Sequence, residues 1–405
     1  MSYICKNPWT TLFLWGNGDV THCCYSNIGR LGNIKDKSIK EMWAGDKINY
    51  VRRTIERGEY LKAGCEHFCR SYRWNSFYGA GSGPLEIPEG LGRVEDLGAS
   101  RGSAGPTVLG VGIDWKCNLK CRHCLSSRKG KGVSRKDFAA LEPYLAGGEY
   151  LRFMGGEFTI NEECLELLRY VASVPGQPTV FLSTNGQAPT EKALKYCEGL
   201  KSFHLKFSLE GLGEDYERIR VGGTWAEFEK NLDVAADFFA DKRRQRLDWR
   251  LYLNYCVMKS NFRQLPAVIA YAVKKNIPLV LNTINGMRHI DENMFMYKAA
   301  CPPKEALEAV GKQCEAVLAS ADGYVFGKEL LSHLDYILKC AGAKKLNLPS
   351  QVLKAWRSVF RGRFADWTLY CAYRVAMDKK SFLIYIVRKL REKARRKLSG
   401  WGYNA

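Results

Sequence analysis

Val108-Leu109-Gly110-Val111-Gly112-Ile113 runs through Asp114-Trp115-Lys116 into Cys117-Asn118-Leu119-Lys120-Cys121-Arg122-His123-Cys124. The first six residues read as a short buried strand, and the last eight as a CxxxCxxC loop. Three thiolates on one short loop can wrap a single cubane iron–sulfur cluster. Thiolate is a ligand that iron favours, and the close spacing lets one turn of chain converge on one site. Only three such ligands are local, so one iron is left open to a substrate or cofactor. The competing reading is a structural zinc loop, which wants a fourth ligand that His123 could offer.

Outward from this loop the chain alternates strand and helix patterns from 107 to about 290. Strands are expected at Val108–Ile113, Tyr150–Met154, Thr179–Ser183, His204–Leu209, Arg250–Met258 and Leu279–Thr283, and helices include Glu162–Val174 and Trp225–Phe239. Six strands in this order predict an α/β fold built on a parallel sheet with crossover helices. Six repeats suit a partial (β/α)6 TIM-like barrel rather than a closed eight-stranded one. The domain reading is an N-terminal module at 1–78, a Gly/Pro-rich linker at 79–106, a core at 107–295 and a basic helical region at 296–405.

The cysteine triplet and the segments after the later strands together resemble the radical S-adenosylmethionine (SAM) superfamily. Met154-Gly155-Gly156-Glu157 is similar to its GGE motif, Ser183-Thr184-Asn185-Gly186 to its TNG segment, and Ser208-Leu209-Glu210-Gly211 to a strand-four motif of peptide-modifying members. The resemblance implies that Cys117, Cys121 and Cys124 hold a [4Fe–4S] cluster and that SAM chelates the open iron. It places Glu157 at the methionine ammonium, Arg220 at the carboxylate, His123 beside adenine, and Ser208, Asn254 and Asn282 among the polar contacts. The implied chemistry is one-electron cleavage of SAM to a 5′-deoxyadenosyl radical, which abstracts a substrate hydrogen. Cys256 shares a strand face with Asn254 by the two-residue period, where a thiol could return a hydrogen atom.

The N-terminal cysteines form a second group. Cys5-Lys6-Asn7-Pro8-Trp9, the Gly18…Cys23-Cys24 hairpin, Leu31-Gly32-Asn33-Ile34 and the closing pair Cys65…Cys69 resemble a SPASM or twitch module. That resemblance implies an auxiliary [4Fe–4S] cluster on Cys5, Cys23, Cys65 and Cys69, with Cys24 as the alternate to Cys23. Such modules usually follow the barrel, and here it precedes the barrel. A structural zinc ribbon is the competing reading. Ser38 with Glu41 three residues on is a capping-box helix start.

The 405 residues are 46% hydrophobic and 26% charged, the profile of a globular chain. No apolar run nears the roughly 20 residues that span a bilayer, and no signal-peptide pattern opens the sequence, so a cytoplasmic enzyme is expected. Fifteen cysteines suit metal binding in a reducing compartment better than disulfides. The net charge is +20, and residues 351–400 carry 14 basic and 3 acidic side chains. An anionic partner is therefore expected near the C-terminus: an acidic leader peptide, nucleic acid or lipid headgroups. The leading functional reading is a peptide-modifying oxidoreductase fed by a one-electron reductant such as flavodoxin or ferredoxin. Two others compete: a dehydrogenase or epimerase of a sugar, aminocyclitol, nucleoside or lipid, and a non-catalytic iron–sulfur or zinc protein that binds RNA.

Overall fold

The computed structural model describes residues 3–24, 28–66, 69, 72–73, 91–93, 105–124, 130–284, 289–343 and 345–347, with a few positions between 368 and 377. Most of the basic helical region expected at 296–405 lies, beyond residue 347, outside the described residues.

The barrel strands are β6 (Val108–Gly112), β7 (Tyr150–Met154), β8 (Thr179–Thr184), β9 (Ser202–Ser208), β10 (Asp248–Val257) and β11 (Leu279–Thr283). They follow one another in parallel, each pairing with the next. Their alternating pattern explains the layering. Leu151, Phe153, Val180, Leu182, Phe203, Leu205, Phe207, Leu251, Leu253 and Leu281 are buried on one face. They share one apolar core with residues of the helices Glu162–Ala172, Trp225–Arg244 and Leu265–Lys275. The opposite face is half-buried and mixed, with Arg152, Met154, Phe181, Lys206, Ser208, Tyr252, Asn254, Cys256 and Asn282. This is the α/β partial-barrel architecture expected from the strand count.

Sequence alone did not show how the N-terminal segment joins the barrel. Strand β2 (Thr11–Leu14) pairs in parallel with β6, and β3 (Asp19–Thr21) and β4 (Gly32–Asn33) follow antiparallel, making one nine-stranded sheet. The segment read as a separate unit therefore extends the barrel's own sheet. Two glycines make the junction possible. A side-chain carbon at Gly110 would sit 1.9 Å from the Phe13 ring, and one at Gly112 would sit 2.9 Å from that of Trp15. Phe13 and Trp15 stack over this space with centroids 6.0 Å apart. Gly110→Ala is expected to push β2 away and cost about 1–3 kcal/mol, as overpacking does; urea unfolding of the cluster-free chain measures it.

The remaining N-terminal elements pack on their own apolar cluster of Ile4, Trp9, Ile48, Val51, Ile55 and Tyr60. Helix Ile39–Ala44 starts at the expected capping box: Ser38 Oγ accepts from Glu41 N, and Glu41 accepts from Ser38 N. Within the Gly/Pro-rich stretch, β5 (Leu91–Arg93) pairs antiparallel with β1 (Tyr3–Cys5). Part of that stretch is thus ordered by backbone pairing, which its lack of periodic apolar residues did not reveal. Helices Lys304–Ala319 and Gly327–Gly342 pack on helix Leu265–Lys275 and β11 respectively.

Candidate active site at the strand ends

The cysteine loop leaves the C-terminal end of β6 and is held from both sides. Lys120 N donates to Val221 O at 2.9 Å and Arg122 N to Ile219 O at 3.0 Å, so the segment after β9 anchors the loop. The β7 end crosses under it, with Gly156 N bonded to Asp114 O and Glu157 N to Lys116 O, both at 2.9 Å. A side-chain carbon at Gly156 would lie 1.9 Å from Lys116 O, and one at Gly155 would lie 2.6 Å from Ile113 O. The glycine pair is therefore required by the chain's own crossing.

The three thiols are half-buried, and those of Cys117 and Cys121 face hydrogen-bond donors. Leu119 N and Asn185 Nδ2 lie 3.5 and 3.6 Å from Cys117 Sγ, and Arg220 Nη1 lies 3.7 Å from Cys121 Sγ. Such donors stabilise thiolates bound to iron and tune a cluster's potential. Burial pushes the Cys121 thiol up to about 11 against the pull of Arg220, and burial also raises Cys117. Metal loading must therefore displace protons here. Among the described residues, no three His, Cys, Asp or Glu side chains are grouped to hold one metal ion. A cluster asks less convergence, because each thiolate binds a different iron. The donor set fits a [4Fe–4S] group.

Glu157 is 2% exposed, and its carboxylate is bound by the chain itself. It accepts from Thr184 Oγ1 at 2.8 Å, Asn185 N at 2.7 Å and Thr159 Oγ1 at 2.9 Å. Burial raises its pKa and these bonds oppose the rise. Asn185 in turn donates from Nδ2 to Asn118 Oδ1 at 2.8 Å, and its carbonyl accepts from the Tyr216 hydroxyl at 3.0 Å. The GGE and TNG segments thus form one network with the Cys117 end of the loop.

The second network centres on Glu210, which is 1% exposed. It forms a buried ion pair with Arg220, and His123 Nε2 stands 3.7 Å away from its other oxygen. Burial opposes the charge on Arg220, but Glu210 raises its pKa overall; burial lowers that of His123. His123 Nδ1 is buried with no hydrogen-bond partner, a donor or acceptor available to a bound group. Ser208 and Asn254 are paired across β9 and β10, and Asn282 Nδ2 donates to Asn254 Oδ1 at 2.6 Å. Cys256 lies two residues beyond Asn254 on the same face, and burial raises its thiol pKa.

The N-terminal cysteines are also brought together. Burial raises the pKa of the Cys65 thiol, with Cys69, Cys5 and Cys23 adding to the rise, and a hydrogen bond with Cys23 and burial raise that of Cys24, with Cys69 adding to it. All five are free thiols, enough for four ligands. Beside them His22 is 3% exposed with Nδ1 unpartnered, and burial lowers its pKa to about 4 from an ordinary 6.5. The unfolded chain therefore binds more protons than the folded chain between those values. Stability is full above pH 6.5 and falls toward pH 4 by about 3 kcal/mol. Urea unfolding of the cluster-free chain should show this slope, and His22→Gln should flatten it.

Several members of the site carried no readable sequence signal. Thr159 and Thr184 bind Glu157, Gln187 joins Tyr216 and Thr224, and His289 Nε2 lies 3.3 Å from Cys124 O. Thr184 lies within the quoted strand-end segment, but its direction toward Glu157 depends on how β7 and β8 pair. Among the described residues no helix is long and apolar enough to cross a membrane.

Comparison with known proteins agrees with this geometry. The Radical SAM superfamily model matches residues 116–242, and the SPASM iron–sulfur cluster-binding domain matches residues 5–70. The chain is 30% identical over 140 residues to GTP 3',8-cyclase of Pelotomaculum thermopropionicum, covering 32% of this chain and 42% of that protein. It is 28% identical over 171 residues to Fe-coproporphyrin III synthase of Methanosarcina barkeri, covering 41% of this chain and 40% of that one. The chain thus spans about two fifths of these relatives' length. Among solved structures, native anSMEcpe with bound AdoMet aligns with TM-score 0.38 at 18% identity, over 52% of this chain and 61% of that one. Streptococcus suis SuiB bound to precursor peptide SuiA aligns with TM-score 0.42 at 15% identity, over 67% and 59%. Residues 116–242 thus form a radical SAM domain, which implies a [4Fe–4S] cluster and SAM as cofactors, and residues 5–70 a SPASM iron–sulfur cluster-binding domain that precedes it in the chain.

Proposed function

We propose that the chain is an oxidoreductase that modifies a peptide by radical chemistry at the strand ends. When bound, the cluster and SAM supply a carbon radical that takes a hydrogen atom from the substrate. Cys117, Cys121 and Cys124 hold the cluster, and Asn185 and Arg220 polarise two of the thiolates. Glu157 keeps Asn185 in register, while Glu210 fixes Arg220 and approaches His123. Ser208, Asn254 and Asn282 line the polar wall beneath, and Cys256 keeps its thiol protonated and available as a hydrogen donor. The N-terminal thiols Cys5, Cys23, Cys65 and Cys69 hold the auxiliary cluster, which suits it to take the electron left on the substrate. A flavodoxin or ferredoxin would supply the first electron.

The observation that carries this reading is the convergence of both buried networks on the cysteine loop. The resemblance of Ser208-Leu209-Glu210-Gly211 to a motif of peptide-modifying members favours a peptide substrate, and the basic stretch at 351–400 would suit an acidic leader. A small-molecule substrate is the second reading, favoured by relatives named for acting on GTP and forming Fe-coproporphyrin III. Anaerobic reconstitution with iron and sulfide counting, followed by dithionite and SAM, tests the chemistry through 5′-deoxyadenosine. Cys65→Ala should remove about four irons per chain and spare SAM cleavage. Unchanged iron would refute the auxiliary ligand set. Incubation with candidate peptides and small molecules, read by mass spectrometry, separates the two substrates: turnover of small molecules alone ends the peptide reading.

A further inference from the structure

We infer that Gln187, which follows the 183–186 segment at the end of β8, is a positioning residue. It ties the donor facing Cys117 to the donor facing Cys121, so that one cluster meets both in fixed geometry. The inference rests on the cysteine loop holding a cluster, as the proposed function has it, and adds the residue that couples the loop's two flanks.

The main chain of Gln187 governs the Cys117 side. Gly186 turns the chain with φ +70°, a left-handed value that glycine takes without strain. Gln187 N then donates to Asn185 Oδ1 at 2.8 Å. An N–H can only donate, so the amide oxygen of Asn185 is turned toward residue 187 and its Nδ2 toward the loop. There Nδ2 reaches Asn118 Oδ1 at 2.8 Å and Cys117 Sγ at 3.6 Å. Gln187 O accepts from Asn118 Nδ2 at 3.0 Å, which closes a ring through the three residues.

The side chain of Gln187 governs the Cys121 side. Its Oε1 accepts from Thr224 N at 2.9 Å, and its Nε2 donates to Thr224 O at 2.8 Å and to the Tyr216 hydroxyl at 3.0 Å. The side-chain amide thus pairs with the backbone of residue 224 as an adjacent strand would, and the two partners fix which way it faces. Thr224 ends the turn that starts at Arg220. Within it Gly223 N donates to Arg220 O at 3.0 Å, and Val221 O accepts from Lys120 N of the cysteine loop at 2.9 Å. A side-chain carbon at Gly223 would sit 3.0 Å from the Gln187 side chain, so the turn and the amide are packed together. From this turn Arg220 Nη1 reaches Cys121 Sγ at 3.7 Å. Tyr216 completes the circuit, its hydroxyl donating to Asn185 O at 3.0 Å.

Hydrogen bonds to the sulfurs help set a cluster's potential, and the groups behind a ligand's partner orient it. Glu210 holds the Arg220 guanidinium through its Nε, whereas Gln187 holds the backbone turn from which that guanidinium reaches. Without the side-chain amide each flank keeps its own bonds to the loop, and the tie between them through residue 187 is lost. The bonds of that amide are partly buried or exposed, and such bonds contribute modestly to overall stability. The fold should therefore survive the change while the surroundings of the cluster loosen. Gln177, at the other end of β8, is a matched comparison. Its Nε2 donates to Ala172 O at 3.1 Å and Gly199 O at 3.3 Å, and its Oε1 accepts from Lys201 N at 3.0 Å, all remote from the cysteine loop in the fold.

Gln187→Met and Gln177→Met in the reconstituted full chain test the inference. Two quantities are read: the midpoint potential of the paramagnetic cluster signal that Cys117→Ala lacks, and the rate of 5′-deoxyadenosine formation. Each variant removes three side-chain hydrogen bonds, so urea unfolding should show similar small losses of stability. Gln187→Met should shift the potential to a more negative value and slow cleavage by about tenfold, the lower end of the range for a ligand's outer partner. Gln177→Met should leave both as in the wild type. Gln187→Ala makes the same loss with a smaller side chain and carries the test if methionine is not accommodated beside Gly223. An unmoved potential in the Gln187 variant, or equal shifts in the Gln187 and Gln177 variants, overturns the inference. The potential is read without turnover, which separates this failure from that of the proposed chemistry. A wild type that holds the cluster without cleaving SAM sinks the chemistry and leaves the potentials to decide on Gln187, whereas cleavage with an unmoved potential sinks only the positioning role.

Discussion

Cys117→Ala should reduce 5′-deoxyadenosine formation to background. The loop itself should survive, because its backbone is anchored through Lys120 and Arg122 to Val221 and Ile219, and Cys117 contributes no part of those bonds. What goes is one of three sulfurs, the one polarised by both Leu119 N and Asn185 Nδ2. Two thiolates do not hold a cubane whose fourth iron must stay open. Loss of an outer partner typically costs 10–100-fold in metal affinity or activity, so loss of a ligand should cost more than ~100-fold. Iron should fall by about four per chain while the auxiliary cluster stays. Asn185→Ala is the graded comparison: it keeps all three thiols and removes a donor from Cys117 and a bond to Asn118. Its loss should fall within the 10–100-fold range. Unchanged cleavage in Cys117→Ala would remove the basis for reading the loop as a cluster site.

Arg220→Met should be among the most destabilising single changes in the barrel. Glu210 and Arg220 are both almost fully buried, and each is the other's main charge partner. Removing the guanidinium leaves a buried carboxylate beside His123, a cost of about 3–5 kcal/mol. Replacing both partners, Glu210→Leu with Arg220→Met, removes the uncompensated charge and should recover most of that loss. Urea unfolding of the cluster-free proteins gives the stabilities. The double variant then carries a second test, because Arg220 Nη1 also faces Cys121 Sγ. Recovered stability with SAM cleavage still impaired would assign the arginine to the site. Recovered stability with full cleavage would leave the pair a structural one.

The strand-end site was legible where its signals were local. Three cysteines within eight residues, a glycine pair before Glu157, and Asn185 after a strand each sit within one short segment. Their positions at C-terminal strand ends followed from the alternation of strand and helix patterns. The reason for the glycine pair was not legible, because the atoms that exclude a side chain belong to Ile113 and Lys116 in the segment after another strand. The engagement of Glu157 was hidden likewise: Thr184 and Asn185 come from β8, 27 and 28 residues away. The buried ion pair of Arg220 with Glu210 was not legible either.

By itself, the sequence determined the parallel six-strand order, the helices between strands, the capped helix at Ser38 and the two groups of cysteines. These depend on hydrophobic period, capping residues and short spacings, which are properties of a few adjacent residues. Only the tertiary structure decided that β2 continues the barrel sheet, that Phe13 and Trp15 fill the space above Gly110 and Gly112, and that Arg152 and Lys206 flank Phe181. Each of these is a contact between distant segments, set by strand register and packing, and no local pattern encodes which distant residue a side chain will meet.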